Sequence, residues 1–314
     1  MPSPSCKDVH TTALNHEITP DGSLGLRHDL RCPQLIHASR ALLSPVHGTS
    51  IEHIARQLDN YRVFLAPFQL RHYLHISLES SSTLKANLLA FAEQEGHDIV
   101  ITKKSRPTWR PCTANALCEL VKTVLADNIE HDKVLIHTDT DLLFTSAAKN
   151  YLTQHSIGCG SRAFRGKKGR WKWAQKALRD PRIKRLIKEM LDGDPNALRI
   201  GRVSGAFMPW DRFKAFGVIY NYYFNNRFFE KNPKRHWPLP EIAIPTILHL
   251  LEGAEAKFQP VLIHAPETKK LTTNVIKKSL KRGDCFGLKK IARDTNSEVF
   301  RYLNHLQSEE SKRT

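Results

Sequence analysis

Apolar positions along the first half of the chain change period in a regular way. Gln34–Ser39 (QLIHAS) is a short apolar run that predicts a first strand. Ser50 then stands ahead of Ile51, Ile54, Ala55 and Leu58 at helical spacing, so a helix capped by Ser50 and stopped by Pro67 is predicted. His72–Ser77 (HYLHIS) reads as a second strand. Thr83 precedes Leu84, Leu88, Leu89 and Phe91, the apolar face of a helix that ends at Gly96. Asp98–Thr102 is a third strand and Thr113–Leu125 a third helix, with Leu117, Leu120, Val121, Val124 and Leu125 on one stripe. Lys133–His137 (KVLIH) is a fourth strand. Strands that alternate with helices in this way predict βαβ units and a mostly parallel sheet, a Rossmann-like half.

The second half is less regular. Ser156–Ser161, Ile200–Met208 and Pro260–Ala265 read as strands, Trp210–Phe229 as an aromatic-rich helix, and Pro238–Leu251 as a turn leading into a helix. Residues 1–30, rich in Ser, Pro, Thr, Asp and His, and the tail from Gln307 show no apolar periodicity and are expected to be loosely packed. No apolar run approaches the roughly 20 residues that span a bilayer, and the N-terminus has no secretory apolar stretch. The expectation is a soluble cytoplasmic protein that can still sit on a membrane surface. Six scattered cysteines without a CxxC pair suit reduced thiols rather than a zinc site or disulfide framework.

Charge adds a partner class. The formal net charge is +17, which favours a polyanion: nucleic acid, anionic lipid or a phosphorylated small molecule. Much of the excess sits in 162–190. Arg162 to Lys188 holds about a dozen Lys or Arg against a single acid, interleaved with Trp171 and Trp173. Basic residues among aromatics suit a membrane interface or a nucleic-acid backbone. Ile183, Leu186, Ile187 and Met190 supply a helical apolar stripe. A cationic solvated helix without a specific partner is the simpler reading.

Candidate chemistry centres on Asp139 and Asp141, directly after the apolar run of the fourth strand. Open α/β sheets bind ligands at strand C-termini. Two carboxylates at i and i+2 on a turning chain can converge on Mg²⁺ or Mn²⁺, which then neutralises a diphosphate leaving group. The alternative is a solvated Asp-Thr-Asp turn that closes the strand.

At this point the chain resembles the GT-A glycosyltransferases and, more faintly, the core-2 branching N-acetylglucosaminyltransferases. The resemblance runs over roughly residues 34–265. It is carried by QLIHASR, HYLHIS, VITKKSRPTWR, ANALCELVKTVL and VLIHTDTDLLF, with VSGAFMPW and LPEIAIPTIL where such enzymes place acceptor-side and catalytic segments. It implies an α/β, GT-A (Rossmann-like) single domain over 31–270 with a mixed, mostly parallel central sheet flanked by helices. Residues 162–190 are then a basic insertion, preceded by a flexible extension (1–30) and followed by a basic helical segment and tail (271–314). It also implies a hexosyl- or N-acetylhexosaminyltransferase of polysaccharide biosynthesis. Such an enzyme uses a nucleotide-sugar donor, Mn²⁺ or Mg²⁺ at Asp139 and Asp141, and a glycan or lipid-linked acceptor. One departure stands out: the core-2 branch is metal-independent and lacks a true DxD, whereas this chain has one.

The resemblance further suggests Glu241 as the base that activates the acceptor hydroxyl, although an acid in a helix's first turn also stabilises the macrodipole. His264 is the candidate third metal ligand, or else a surface residue at a strand end. His37, Ser39 and Arg40 are candidates to meet the nucleotide base or ribose. Arg106 and Trp109 are candidates for diphosphate and ring contacts, unless they pack or pair locally. Lys269, Lys270, Lys289 and Lys290 are within reach of phosphates or form a solvated face. The basic insertion is the candidate contact with an anionic membrane. The competing class is a metal-dependent nucleic-acid enzyme or binder using the same acidic pair and the basic insertion. Against it stands the lack of further acids at matching strand ends and of a known nucleic-acid module. A nucleotidyltransferase is disfavoured because no Gly-rich loop follows the first strand.

Overall fold

Ala41–Val46 is apolar apart from Ser44, and it forms the centre of the sheet. In the computed structural model, β1 is Ser39–Val46, with Ala41 to Val46 all buried. It pairs in parallel with both β2 (Gln69–Ile76) and β4 (Lys133–Ile136). A strand covered on both faces and paired on both sides needs a continuous apolar run rather than an alternating one. The strand therefore begins where QLIHAS was expected to end.

The structure describes residues 39–46, 50–108, 113–166, 171–231, 237–264, 271–283, 285–291 and 294–313. Residues 35–314 form one compact unit. The expected extension, 1–30, lies outside the described residues.

Helix α1 (Ile51–Leu65) follows, with the Ser50 hydroxyl accepting from the His53 N–H as expected of a cap. After β2 come α2 (Leu84–Glu95), stopped by Gly96 at φ 69°, and β3 (Asp98–Ile101). Thr83 makes no capping bond, and Leu89 is 44% exposed rather than on the buried face. Helix α3 (Ala114–Asp127) leads to β4. The first half matches the predicted alternation, and with a later strand, β8 (Ala206–Pro209), the five-stranded sheet runs β3-β2-β1-β4-β8, parallel except for that last strand. The architecture is thus mixed α/β with a mostly parallel central sheet flanked by helices.

Short elements follow β4: β5 (Leu142–Leu143), α4 (Ala147–Gln154), β6 (Arg162–Ala163), α5 (Ala174–Arg179), α6 (Pro181–Met190), β7 (Arg199–Ile200) and β8 (Ala206–Pro209). The predicted strand over 200–208 is split because the chain turns at Gly205, φ 79°, where a Cβ would lie 2.2 Å from the Ile263 nitrogen. The predicted strand at 156–161 is reduced to bridges at Gly158. Next come α7 (Trp210–Tyr223), α8 (Asn226–Lys231) and α9 (Pro240–Glu252). The chain ends through β9 (Ile263–His264), α10 (Thr273–Arg282), β10 (Gly287–Leu288) and α11 (Glu298–Ser311). The segment from Gln307, expected to be loose, continues α11, and the Gln307 amide oxygen accepts from Asn60.

Two apolar layers cover the sheet. Ala41, Leu43, Val134 and Met208 pack beneath α3, α7 and α9. Leu42, Leu135 and Phe207 pack beneath Tyr61, Phe64 and Leu65 of α1 and Leu152 of α4. Each buried Leu or Phe side chain contributes about 1.5–3 kcal/mol relative to exposure. A second sheet, β5-β10-β9, draws the C-terminal segment against the end of β4, with Leu142 and Phe144 packed on Ile276, Leu288 and Phe300.

Candidate functional site

The chain leaves β4 at Ile136 and turns back within five residues. The Asp141 N–H donates to the Thr138 carbonyl at 3.1 Å, while its carboxylate accepts from the Thr138 N–H and hydroxyl, both at 2.8 Å. Helix α1 grips this loop from outside. The His53 ring Nε2 donates to the Asp139 carbonyl at 2.8 Å. The Gln57 amide donates to the Thr138 and Asp141 carbonyls at 2.8 and 2.6 Å. Asn60 exchanges two bonds with the backbone of Leu143, at 3.0 and 2.8 Å. Residues at i, i+4 and i+7 lie on one helix stripe, so three buried polar side chains hold the backbone of the acidic loop. The sequence analysis passed over them. Their signal was present: polar residues at helical spacing beside Ile54, Leu58 and Tyr61, where an ordinary amphipathic helix carries apolar ones.

Asp141 is fully buried and Asp139 nearly so, with 0% and 6% exposure. Burial pushes the Asp141 carboxyl up to about 6, against the opposing pull of the Lys289 charge and the Thr138 hydrogen bonds. Lys289 follows β10. Its N–H donates to the His264 carbonyl at 2.8 Å, the Ile291 N–H donates to the Thr140 carbonyl at 3.0 Å, and Lys290 between them adopts φ 69°. This left-handed step is uncommon for a residue with a side chain. It lies in a loop tied at both ends to the site. The Lys289 ammonium donates to the Ser204 hydroxyl at 2.5 Å.

Across a cleft lined by Pro45, Thr113, Ile136, Thr138, Ser204 and Pro240 stands the start of α9. Glu241 lies in its first turn, and the Trp171 indole N–H donates to its carboxylate at 3.2 Å. Burial raises this carboxyl above its ordinary range, opposed by Trp171 and by the charges of Lys289, Arg202 and Arg162. The Lys289 charge thus acts on both Asp141 and Glu241. Trp171 belongs to the basic insertion, so that segment reaches the site itself. Its ring meets Trp237 and Phe164 at centroid distances of 6.1 and 6.2 Å. Trp237 donates to Asp180 at 2.9 Å, and Asp180 accepts two bonds from Arg182 at 3.0 and 2.7 Å. Both partners of that ion pair are about 95% buried.

Other expected site residues lie elsewhere. Ser39 and Arg40 begin β1, at the opposite edge of the sheet from the acidic loop. There Ser39 bonds His131, and Arg40 pairs with Asp132 at 3.0 Å and stacks on Phe68. The strand starts at these residues instead of ending there, so they lie away from the loop of Asp139 and Asp141. The Arg106 guanidinium pairs with Glu119 at 3.0 Å and Glu230 at 2.7 Å, binding the loop after β3 to α3 and α8. His37, Trp109, Lys269 and Lys270 lie outside the described residues. Of the apolar stripe expected in 162–190, Ile183 and Leu186 are 0% exposed and Ile187 is half-buried, so the core takes most of it, while Met190 is 40% exposed.

The expected metal set does not assemble. Both Asp141 oxygens are turned to Thr138, and His264, on the exposed end of β9, is separated from Leu142 by the whole width of β10. Among the described residues, no three His, Cys, Asp or Glu side chains converge where one ion would sit. As placed, Asp139, Asp141 and His264 do not form a three-residue cage for an ion. Lys289 supplies the positive charge in this cleft.

The chain matches no family model and no curated protein. Among solved structures it is similar to the galactosyltransferase LgtC in complex with donor and acceptor sugar analogs, at 12% identity and a TM-score of 0.45, over 86% of this chain and 95% of that one. It is also similar to an active-site mutant of LgtC, at 11% identity and a TM-score of 0.42 over the same shares. Among the described residues no helix is long and apolar enough to cross a membrane.

Proposed function

We propose that the chain is a GT-A type glycosyltransferase that moves a hexosyl or N-acetylhexosaminyl group from a nucleotide-diphosphate donor to a glycan hydroxyl. One observation carries this reading: the Lys289 ammonium donates to Ser204 at a cleft that Thr138 and Pro240 also line, and its charge favours the ionised forms of both buried Asp141, after β4, and half-buried Glu241, at the start of α9. Each part has a chemical task. Glu241, its proton affinity raised by burial, accepts the proton of the acceptor hydroxyl as that oxygen attacks the anomeric carbon. The bond from that carbon to the donor phosphate breaks, and negative charge grows on the leaving diphosphate. Lys289, oriented by Ser204 and by the loop tied to Thr140 and His264, is the preorganised cation for that charge. The clamp of His53, Gln57 and Asn60 fixes the wall against which the donor rests.

The competing nucleic-acid reading is not favoured. A thermal-shift screen of UDP, GDP, CMP and dTDP ligands, each with Mn²⁺ or with EDTA, tests the proposal. One nucleoside diphosphate is expected to raise Tm in EDTA, because a ligand bound to the native state stabilises it. That shift should vanish in Lys289→Met and survive in Glu241→Gln, which should instead abolish sugar transfer. A shift that appears only with Mn²⁺ and is lost in His264→Ala would restore the three-ligand metal set. No shift with any nucleotide would end the transferase reading.

A further inference from the structure

Glu241 stands in a positive surround built by a backbone crossing. Strands β6 and β7 pair antiparallel, Arg162 opposite Ile200. The chains cross so closely that a Cβ on Gly201 would fall 1.5 Å from the Gly160 carbonyl oxygen, and one on Gly160 would fall 2.8 Å from that of Arg202. The Gly201 N–H also donates to the Glu241 backbone carbonyl at 2.8 Å. Only glycine permits this approach, and it sets Arg162 and Arg202, both exposed, on the two segments that meet the start of α9, where their charges act on the Glu241 carboxylate. Farther along the segment, Lys172 and Lys176 lie 5.2 and 4.9 Å from the ring centre of half-buried Trp173. Within the same segment Asp180 is buried against Arg182, and Glu189 pairs with Arg185.

From this geometry we propose that the acceptor is an acidic glycan. A sulfate, phosphate or uronate next to its reacting hydroxyl is received by Arg162 and Arg202, and its further anionic groups follow the ridge of Lys172, Trp173 and Lys176. The proposal rests on the reading of Glu241 as the acceptor base. Guanidinium groups match planar carboxylates and the oxygens of sulfate or phosphate with paired hydrogen bonds, while an indole flanked by ammonium groups offers a face to a sugar ring. A membrane is the weaker occupant. An interfacial helix needs an outward apolar face, but Ile183 and Leu186 are buried, and the charges of Arg162 and Arg202 act on the Glu241 carboxylate. Arrival of an acceptor anion between the arginines has a further effect. It offsets their charge beside Glu241, and the base gains proton affinity when the acceptor is in place.

The test uses the full chain and four probes: a chondroitin sulfate oligosaccharide, its desulfated and carboxyl-reduced counterpart, a phosphorylated mannose oligosaccharide, and vesicles of equimolar phosphatidylserine and phosphatidylcholine. Binding of at least one charged oligosaccharide is expected, at least about tenfold tighter than the neutral one. Arg162→Gln and Arg202→Gln should each weaken it roughly three- to fivefold, and added salt should weaken it further. Glu241→Gln should tighten it, since one negative charge beside the arginines is gone; a remote basic surface would not respond in this way. Whether the sulfated or the phosphorylated probe binds tighter assigns the anion. Equal binding of neutral and charged oligosaccharides would overturn the proposal. So would indifference to Arg162 and Arg202 while Lys172→Gln and Lys176→Gln abolish binding, or vesicle binding that depends on those two arginines. Nucleoside diphosphate shifts on the same variants separate the two readings. If nucleotides bind and charge discrimination fails, only the acidic acceptor is lost. If charge discrimination holds and no nucleotide binds, the transferase reading is lost instead.

Discussion

Asp141 and Glu241 stand beside residues that line one cleft, Thr138 and Pro240, and burial raises both carboxyls above their ordinary range, yet the walls that hold them are built differently. Asp141 is held within its own loop by Thr138, and that loop is gripped by one stripe of α1. Glu241 is held by Trp171 and by the glycine crossing at Gly160 and Gly201, and behind Trp171 stand Trp237, Asp180 and Arg182. One wall needs a helix and a turn to form. The other needs segments from five places in the chain to arrive together. The Asp141 loop is thus held by one helix stripe and by Thr138, whereas the Glu241 wall depends on contacts gathered from several parts of the chain.

The largest effect is expected where the acceptor wall has its buried ion pair. Asp180→Ala deprives Arg182 of its carboxylate and the Trp237 N–H of its acceptor. Breaking one partner out of a buried pair costs about 3–5 kcal/mol, to be read from urea denaturation with tryptophan fluorescence as the probe. A cost under about 1 kcal/mol, the range of exposed pairs, would show that the wall stands without this anchor.

Acid should act on the other wall. Burial holds His137 down to about 4 and His72 well below its ordinary value, and among the described residues neither ring nitrogen of His72 has a hydrogen-bond partner. Both rings are neutral when folded, whereas the unfolded chain takes up their protons below about pH 6.5. Their contribution is whole above that pH and is lost as pH falls toward 4, roughly 3 kcal/mol for His137 alone. Asp141 has the opposite sign. Its folded value of about 6 exceeds the unfolded one, so its contribution is present in acid and lost as pH rises through 6. Two histidines against one carboxyl leave stability falling from pH 6.5 to 4. His72→Phe should flatten that slope, and an unchanged slope would place the acid sensitivity elsewhere.

Next in size is Asn60→Ala, which leaves the N–H and carbonyl of Leu143 buried without their partners. A loss of about 2–3 kcal/mol is expected, with a weaker nucleotide-induced shift in Tm because the acidic loop loses its grip. Full stability with an unchanged shift would show that His53 and Gln57 suffice.

The same contrast explains what the sequence could say. Ser50 as a cap, Gly96 as a stop and the apolar runs of β2 and β4 are local signals, and each placed its element within a few residues. Local signals also placed Asp139 and Asp141 at a strand end. They failed where tertiary pairing decides. QLIHAS and ALLSPV are both apolar, and only the parallel register with β2 and β4 selects the second. Arg106 reads as a candidate phosphate ligand, and nothing local shows that Glu119 and Glu230, from α3 and α8, pair with its guanidinium. The stripe of Ile183 and Leu186 looked free because periodicity reports a face and not what covers it. Lys289, 148 residues from Asp141 in sequence, reaches it only because β10 inserts between β5 and β9. No spacing rule encodes that.

The smallest effect on stability, and the finest on chemistry, is expected from Trp171→Phe. Phenylalanine keeps a ring against Phe164 and Trp237, so folding should change by no more than about 1 kcal/mol. What disappears is the indole N–H that donates to the Glu241 carboxylate. A bond donated to a carboxylate favours its charged form, so without it the Glu241 carboxyl moves higher still. The base is active only when deprotonated, and the acid limb of the transfer rate against pH should therefore shift to higher pH. Arg162→Gln removes a charge that acts on Glu241 in the same sense and should shift the limb in the same direction. A ¹³C titration of the Glu241 side chain gives that reading without a known sugar. If the titration stays in place in both variants while Glu241→Gln still abolishes transfer, Trp171 and Arg162 hold position only, and the acceptor wall does not tune its base.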